Sequence, residues 1–161
     1  MASTVYKLSE VLSLKCGKNQ RSVESEGGTI PIYGTGGVMG YAKEALYERP
    51  TILFGRKGTI GDVKFIEVPF WCVDTTFYSI IDENKVDPYY LYCKLSAIDF
   101  TQFDEGTTIP SLRVETLNEI EISVPDIKYQ TIVSSFIRKI DSLVSTIKKM
   151  NDNLGGVCFA S

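Results

Sequence analysis

The 161-residue chain contains no histidine. This absence removes the residue that most often serves as a general base, as a zinc ligand and as the partner of a serine or cysteine nucleophile. Chemistry based on carboxylates or on lysine stays open. The composition therefore argues against an enzyme and favours a protein that works by binding.

Paired cysteines and long apolar runs are also missing. Cys16, Cys72, Cys93 and Cys158 are scattered and form no CxxC pair, and a chain of this length needs no disulfide staples. We expect reduced, mostly buried thiols. No apolar run approaches the roughly 18 residues of a membrane span, and residues 1–4 do not begin a signal peptide. We therefore expect one globular protein in the cytoplasm, without a membrane partner.

The charge is unevenly distributed around a net value of −3. Residues 1–60 carry 8 basic and 5 acidic side chains, a net of +3, and residues 126–161 carry 5 and 3, a net of +2. Residues 61–125 carry 4 basic and 12 acidic side chains, a net of −8. This pattern excludes unselective phosphate binding by the whole surface but allows a local basic face.

Residues 1–125 predict an α+β domain with an irregular, twisted sheet. Asp87-Pro88 is a typical helix start, an N-cap followed by proline, and we expect that helix to end near Phe100. Tyr89, Tyr90 and Tyr92 on it are expected to pack rather than to stack on bases. The remaining predicted elements are a helical turn over 6–15, a surface loop over 16–28, strands over 30–33, 51–54, 63–68, 71–81 and 120–124, and a loop over 106–111.

A long heptad-patterned helix is predicted after Pro125, from residue 126 to residue 154, before Gly155-Gly156 ends it and leaves a short tail, 155–161. At 1.5 Å per residue it is about 43 Å long, more than a domain of this size covers. The seam therefore predicts a coiled-coil homodimer, with a helix that lies only on its own core as the alternative, and it places Arg138, Asp141, Lys148, Lys149 and Asp152 on the outer face. Apolar residues recur along the seam at alternating spacings of four and three: Tyr129, Val133, Phe136, Ile140, Leu143, Ile147, Met150 and Leu154.

Two glycine-rich segments invite comparison with nucleotide-binding loops. Residues 34–40 lack the glycine spacing and the preceding apolar strand of a dinucleotide-binding turn, and Pro50 soon interrupts any following helix. Residues 55–59, Gly-Arg-Lys-Gly-Thr, lack the spacing of a P-loop. They form a glycine turn with two cations, either a plain hairpin turn or a phosphate-contacting one. The carboxylates Asp82, Glu83 and Asp87, and likewise Asp104 and Glu105, are expected to be solvated loop charge rather than a pair for acid/base catalysis.

Five motifs in order carry a resemblance to a known family. They are Tyr-Gly-Thr-Gly-Gly at 33–37, Ile-Leu-Phe-Gly-Arg-Lys-Gly-Thr-Ile-Gly at 52–61, Val-Asp-Thr-Thr-Phe at 73–77, Gly-Thr-Thr-Ile-Pro-Ser-Leu at 106–112, and Ile-Glu-Ile at 120–122 with Pro125 and Gln130 before the long helix. In this order the chain resembles the specificity (S) subunit of type I restriction-modification systems. It matches one target-recognition domain, residues 1–125, with one spacer helix, residues 126–154.

The resemblance implies a non-catalytic subunit that binds double-stranded DNA and docks methyltransferase and restriction subunits. Type I specificity subunits resemble two such units in tandem, with antiparallel spacer helices, and each domain reads one half of a split target. This sequence carries one unit, so we expect either a half-subunit that pairs with a copy of itself or a fragment.

Recognition of a DNA sequence needs short polar side chains and backbone donors on loops, with cations that contact phosphates. The residues that we expect at DNA are Lys18, Arg21, Thr35, Gly36, Gly37, Arg56, Lys57, Thr59, Thr107, Thr108 and Ser111. No catalytic residue, metal ligand or cofactor is assigned. Two other classes stay open: a protein-interaction adaptor with a coiled-coil helix and no DNA role, and a small carboxylate-based enzyme.

Overall fold

The computed structural model describes residues 3–157, and their side chains as far as residue 152. A 3-10 turn spans Phe100–Phe103. The elements are, in order, β1 (Thr4–Lys7), α1 (Leu8–Val11), β2 (Leu12–Cys16), β3 (Ile30–Gly34), β4 (Gly37–Ala42), β5 (Thr51–Gly55), β6 (Val63–Ile66), β7 (Trp71–Cys72), β8 (Thr76–Ile81), α2 (Pro88–Leu95), α3 (Val114–Asn118), β9 (Glu121–Val124) and α4 (Ile127–Val157).

Three small sheets make up the domain, which confirms the predicted α+β class with an irregular sheet. The largest has the order β2-β8-β5-β6 and is antiparallel. The second has the order β4-β3-β7, in which β3 and β7 run parallel, and the third is the antiparallel pair β1-β9. The predicted strand over 71–81 is therefore wrong in one respect, because β7 and β8 belong to different sheets and residues 73–75 form the loop between them.

The main core joins the four-stranded sheet to α1, α2, α3, β9 and the 3-10 turn. All five residues of β5 are buried, and the Phe54 ring meets the Phe100 ring edge-on at 5.6 Å. Asp87 caps α2 as predicted, since its carboxylate accepts a 2.8 Å hydrogen bond from the Tyr90 N–H. The predicted end of this helix near Phe100 is wrong. The helix stops at Leu95, and Asp99 caps the separate turn that carries Phe100 into the core.

The predicted helical turn over 6–15 is reduced to the four residues of α1. β1 and β2 flank it, and the Leu8 N–H donates to the Ile120 carbonyl oxygen at 2.9 Å. Leu8, Val11, Leu12 and Leu14 are all buried, so the apolar side was identified correctly. The sequence prediction missed β4 and α3 altogether.

The cysteines differ in exposure more than the sequence suggested. Among the described residues Cys16 is exposed, Cys72 is buried and Cys93 is intermediate, and all three are free thiols. Burial raises the pKa of the Cys72 thiol to about 11. The prediction of mostly buried thiols is therefore wrong for Cys16, and Cys158 lies outside the described residues.

Candidate nucleic-acid interface

Five loops that are distant in sequence meet along one side of the domain, which we call the loop edge. It comprises residues 17–28, 34–37, 55–61, 73–75 and 104–111. Backbone hydrogen bonds join them in series: Lys18 N–H to Cys72 O (2.9 Å), Val73 N–H to Tyr33 O (3.0 Å), Arg56 N–H to Thr75 O (2.9 Å) and Gly58 N–H to Pro110 O (2.9 Å). The segments predicted to contact DNA therefore form one continuous surface.

The turn at 55–61 and the loop at 104–111 hold each other in place. Lys57 and Ser111 form an isolated antiparallel bridge, and the Leu112 N–H donates to the Arg56 carbonyl oxygen at 2.9 Å. Each loop also closes on a glycine. A Cβ at Gly55 would lie 1.9 Å from the Thr59 carbonyl oxygen, and one at Gly106 would lie 1.9 Å from that of Ile109. Neither position tolerates a side chain without a backbone shift.

Asp104 shapes the loop that carries the predicted threonines. Its Oδ1 accepts 2.8 Å hydrogen bonds from the N–H groups of Gly106 and Ser111. Those two donors, that of Ser111 first, lower the pKa of the Asp104 carboxyl below its ordinary value. The carboxylate is thus an organising group rather than mere solvated charge. It leaves Thr107 and Thr108 exposed at the tip of the loop.

Arg56 and Lys57, predicted to act alike, have different environments. The half-buried Arg56 donates from Nη1 to the Asp74 carbonyl oxygen at 3.1 Å and to Cys16 Sγ at 3.3 Å, and its guanidinium lies 5.7 Å from the centroid of the Phe77 ring. These contacts tie the turn at 55–61 to residues 73–75 and to the adjoining ends of β2 and β8. Lys57 is exposed. The remaining exposed residues among those predicted at DNA are Lys18, Arg21, Thr59 and Gly36.

The turn at 34–37 borders a cavity of about 480 Å³, whose other walls are Gln20, residues 38–39 and residues 73–75. Thr35, Gly36 and Gly37 all line it. Lys64 supports the turn from below, since its Nζ donates to the Thr35 carbonyl oxygen at 2.8 Å. The residues predicted to contact DNA do not include Lys64, Gln20 or Asp74. Each of these three lies outside the Tyr-Gly-Thr-Gly-Gly motif at 33–37, although each contacts or borders the turn that this motif forms.

A second surface is the face of α4 that packs on the domain. Gln130 is fully buried: its Nε2 donates to the carbonyl oxygens of Pro125 (2.8 Å) and Lys85 (3.2 Å), and its Oε1 accepts from the Asp87 N–H (3.0 Å). One turn later the buried Ser134 donates to the Asp87 carboxylate. The start of α4 is therefore anchored to the capping residue of α2.

The same face continues with Arg138 and Asp141, which lie away from the apolar seam as predicted but contact the domain instead of only solvent. Arg138 pairs with Glu67 at 2.8 Å, and its guanidinium lies 4.0 Å from the Tyr89 ring centroid. The Tyr89 hydroxyl donates to Asp141, and burial together with this bond raises the pKa of Tyr89. Tyr89 and Tyr92 also pack on the Phe65 ring, which confirms the packing role predicted for them.

The apolar side of α4 faces away from the domain. Val133 is half-buried, whereas most seam residues are exposed, with Phe136 at 64% and Leu143 at 63%. The helix continues to Val157, so Gly155-Gly156 does not end it as predicted, and the Leu154 side chain lies outside the described residues. The other exposed apolar residues on the helix are Tyr129, Ile132, Ile140, Val144, Ile147 and Met150.

Among the described residues no group of three or more cysteine, aspartate or glutamate side chains is arranged to hold a metal ion. Within that same part of the chain, no helix combines the length and the apolar character needed to cross a membrane.

Comparison with known proteins identifies the family. The specificity subunit of the type I restriction enzyme EcoprrI from Escherichia coli is 25% identical over 153 residues, which are 89% of this chain and 37% of that protein. That of the enzyme MjaIX from Methanocaldococcus jannaschii is 27% identical over 113 residues, 68% of this chain and 26% of that protein. The chain thus spans between about a quarter and two fifths of these relatives.

Solved structures share the fold. The S subunit of a type I restriction-modification system from M. genitalium superposes with a TM-score of 0.79 at 19% identity, over 92% of this chain and 41% of that one. The HsdS subunit from Thermoanaerobacter tengcongensis superposes with a TM-score of 0.62 at 12% identity, over 92% of this chain and 39% of that one. The model of the type I restriction modification DNA specificity domain matches residues 2–154. The chain therefore belongs to the family of type I restriction-modification DNA specificity domains.

Proposed function

We propose that this chain is a non-catalytic DNA specificity component that reads one half of a bipartite target in the cytoplasm. In this proposal residues 1–125 are the recognition domain, and the helix that starts at residue 126 is the spacer. Methyltransferase and restriction subunits of a type I system are the protein partners. The loop edge carries the proposal, because it collects exposed hydroxyls, amides and cations on a backbone braced by hydrogen bonds, as base and phosphate contacts require.

We propose further that two copies of the chain pair through the exposed side of α4. Six exposed apolar side chains from Phe136 to Met150 form a stripe longer than a lone domain normally leaves in water. The domain itself lies on the opposite, polar face of the helix, so a second helix has free access to the stripe. Pairing through antiparallel helices would relate the two loop edges by a two-fold axis.

If a two-fold axis relates the two recognition domains, the DNA target should have a specific symmetry. Cells that co-express this chain with its methyltransferase should methylate an interrupted palindrome, because the symmetry of the protein is mirrored in the half-sites. A helix of 31 residues is about 46 Å long and limits the interruption to about 14 base pairs. Methylome sequencing measures this. A continuous or asymmetric methylated motif would contradict the symmetric dimer, and the absence of any methylated motif would contradict the DNA role.

The two cations of the turn at 55–61 should respond differently to removal. Lys57→Ala should weaken binding across sequences and lower the slope of log affinity against log salt by about one, the signature of one lost phosphate contact. Arg56→Ala should in addition reduce the discrimination between sequences, because Arg56 holds Cys16 and Asp74 together. Fluorescence anisotropy of the complex with its methyltransferase measures both quantities.

Lys148→Ala on α4 is the matched control for charge, since it removes a lysine outside the loop edge. Its salt slope should equal that of the unmodified chain. Equal slopes for Lys57→Ala and the unmodified chain would exclude Lys57 from the DNA contact.

A further inference from the structure

The cavity beside the turn at 34–37 combines apolar and acidic walls, which is unusual for a surface that contacts a polyanion. Val38 and Met39 line it and are 50% and 54% exposed. Asp74, which also lines the cavity, is exposed as well. An apolar and acidic lining repels phosphate, so the part of DNA that fits here is a base edge rather than the backbone.

A β-bulge brings both apolar side chains to this cavity. Neighbouring residues of a regular strand point to opposite faces. In β4, however, Gly40 pairs with Ile32 and Val38 pairs with Tyr33, so Met39 has no partner in β3. Bulges redirect a side chain in this way. The Met39 sulfur consequently lies over Gly34, 3.1 Å from where a Cβ on that glycine would be.

The chemistry of the cavity selects among base pairs. In the major groove only thymine presents a methyl group, and apolar side chains recognise it by contact. Guanine presents two acceptors there, which the Asp74 carboxylate disfavours, and its partner cytosine presents an amino donor but no methyl group for the apolar side chains to contact. Adenine presents an N6 amino donor and the N7 acceptor, which a glutamine amide matches with two hydrogen bonds, and Gln20 lines the same cavity.

Resting on the proposed function, we propose that this cavity reads one A·T base pair in each half-site. Val38 and Met39 contact the 5-methyl group of thymine, and the Gln20 amide contacts the edge of the paired adenine. Asp74 excludes guanine and phosphate from the same position. These four residues thus determine specificity at one base pair, next to the phosphate contacts of the turn at 55–61.

Deoxyuridine substitution tests the thymine contact, because it deletes only the methyl group. After methylome sequencing has identified the target, duplexes that carry deoxyuridine at one thymine at a time are titrated with the chain in complex with its methyltransferase. One thymine in each half-site should lower affinity by about fourfold when replaced, the effect of one buried methyl-sized group. Replacing its paired adenine by 7-deazaadenine should weaken binding at the same position.

Protein variants assign the effect to the cavity. In Met39→Ala the deoxyuridine penalty should disappear, whereas Met39→Leu should keep it. The control Val5→Ala, an equally exposed apolar residue in β1, should also keep it. A target without thymine, a full deoxyuridine penalty in Met39→Ala, or the absence of a penalty at every thymine would overturn this inference while leaving the DNA role intact. Failure of the complex to bind any duplex would instead overturn the proposed function and this inference with it.

Discussion

Replacing Ile140 with glutamate should convert a dimer of this chain into a monomer. Ile140 lies at the middle of the apolar stripe of α4 and is 44% exposed in a single chain. Two copies of the substitution would place two unpaired carboxylates in the helix pair, at a cost of about 2–5 kcal/mol each, comparable to a large core truncation or an unpaired buried charge. Light scattering on a sizing column at tens of micromolar measures the mass in solution.

Ser142→Glu is the matched control for this experiment. Ser142 is exposed on the same turn of α4 but belongs neither to the apolar stripe nor to the face that packs on the domain. The same added charge there should leave the dimer intact. A monomeric unmodified chain, or a dimer that survives Ile140→Glu, would contradict pairing through this stripe. Circular dichroism should show an unchanged fold in both variants, since neither side chain is part of the domain core.

Replacing Gln130 with alanine should cause the largest loss of stability among single changes in α4. The substitution leaves two carbonyl oxygens, of Lys85 and Pro125, and the Asp87 N–H without their partner in a buried site. The expected loss is about 2–4 kcal/mol, since each unsatisfied buried group costs on the order of 1–3 kcal/mol and such costs are not additive. For a protein of this size that lowers Tm by about 5–15 °C.

Thermal unfolding followed by circular dichroism measures this change. The neighbouring Thr131→Ala is the control, because Thr131 is exposed and its hydroxyl bonds only to the Ile127 carbonyl oxygen within the helix. Its Tm should change little. A Gln130→Ala variant as stable as the control would mean that α4 is held to the domain by its ion pair and stacked rings at Arg138 rather than by Gln130.

The sequence predicted those elements whose signals are local. The Asp87-Pro88 helix start depends on a cap and on a fixed backbone angle, both set within a few residues. The hairpin of β5 and β6 follows from apolar strands around a glycine turn. The seam of α4 follows from a spacing that repeats without interruption. Errors occurred at the ends: α2 stops at Leu95 because Phe100 enters the core, and α4 passes Gly155-Gly156.

In the short elements, the sequence prediction did not distinguish the apolar spacing of a strand from that of a helix. Residues 8–14 place four apolar side chains in the core, but the change from α1 to β2 occurs within that run. A period cannot be assigned over four residues. The break at residues 73–75 in the predicted strand was also missed. The strand-like alternation continues through these residues, and the strand ends there only because the chain passes from one sheet to another.

By itself, the sequence determined the fold class, the apolar seam and the set of loops that carry polar and basic residues, because these follow from composition and local spacing. Only the tertiary structure decided how those residues are used. It joined five distant loops into one edge through backbone hydrogen bonds, separated the bracing Arg56 from the exposed Lys57, and turned Arg138 and Asp141 toward the domain. The physical reason is that such roles depend on neighbours up to 71 residues away in the chain, and no local pattern encodes them.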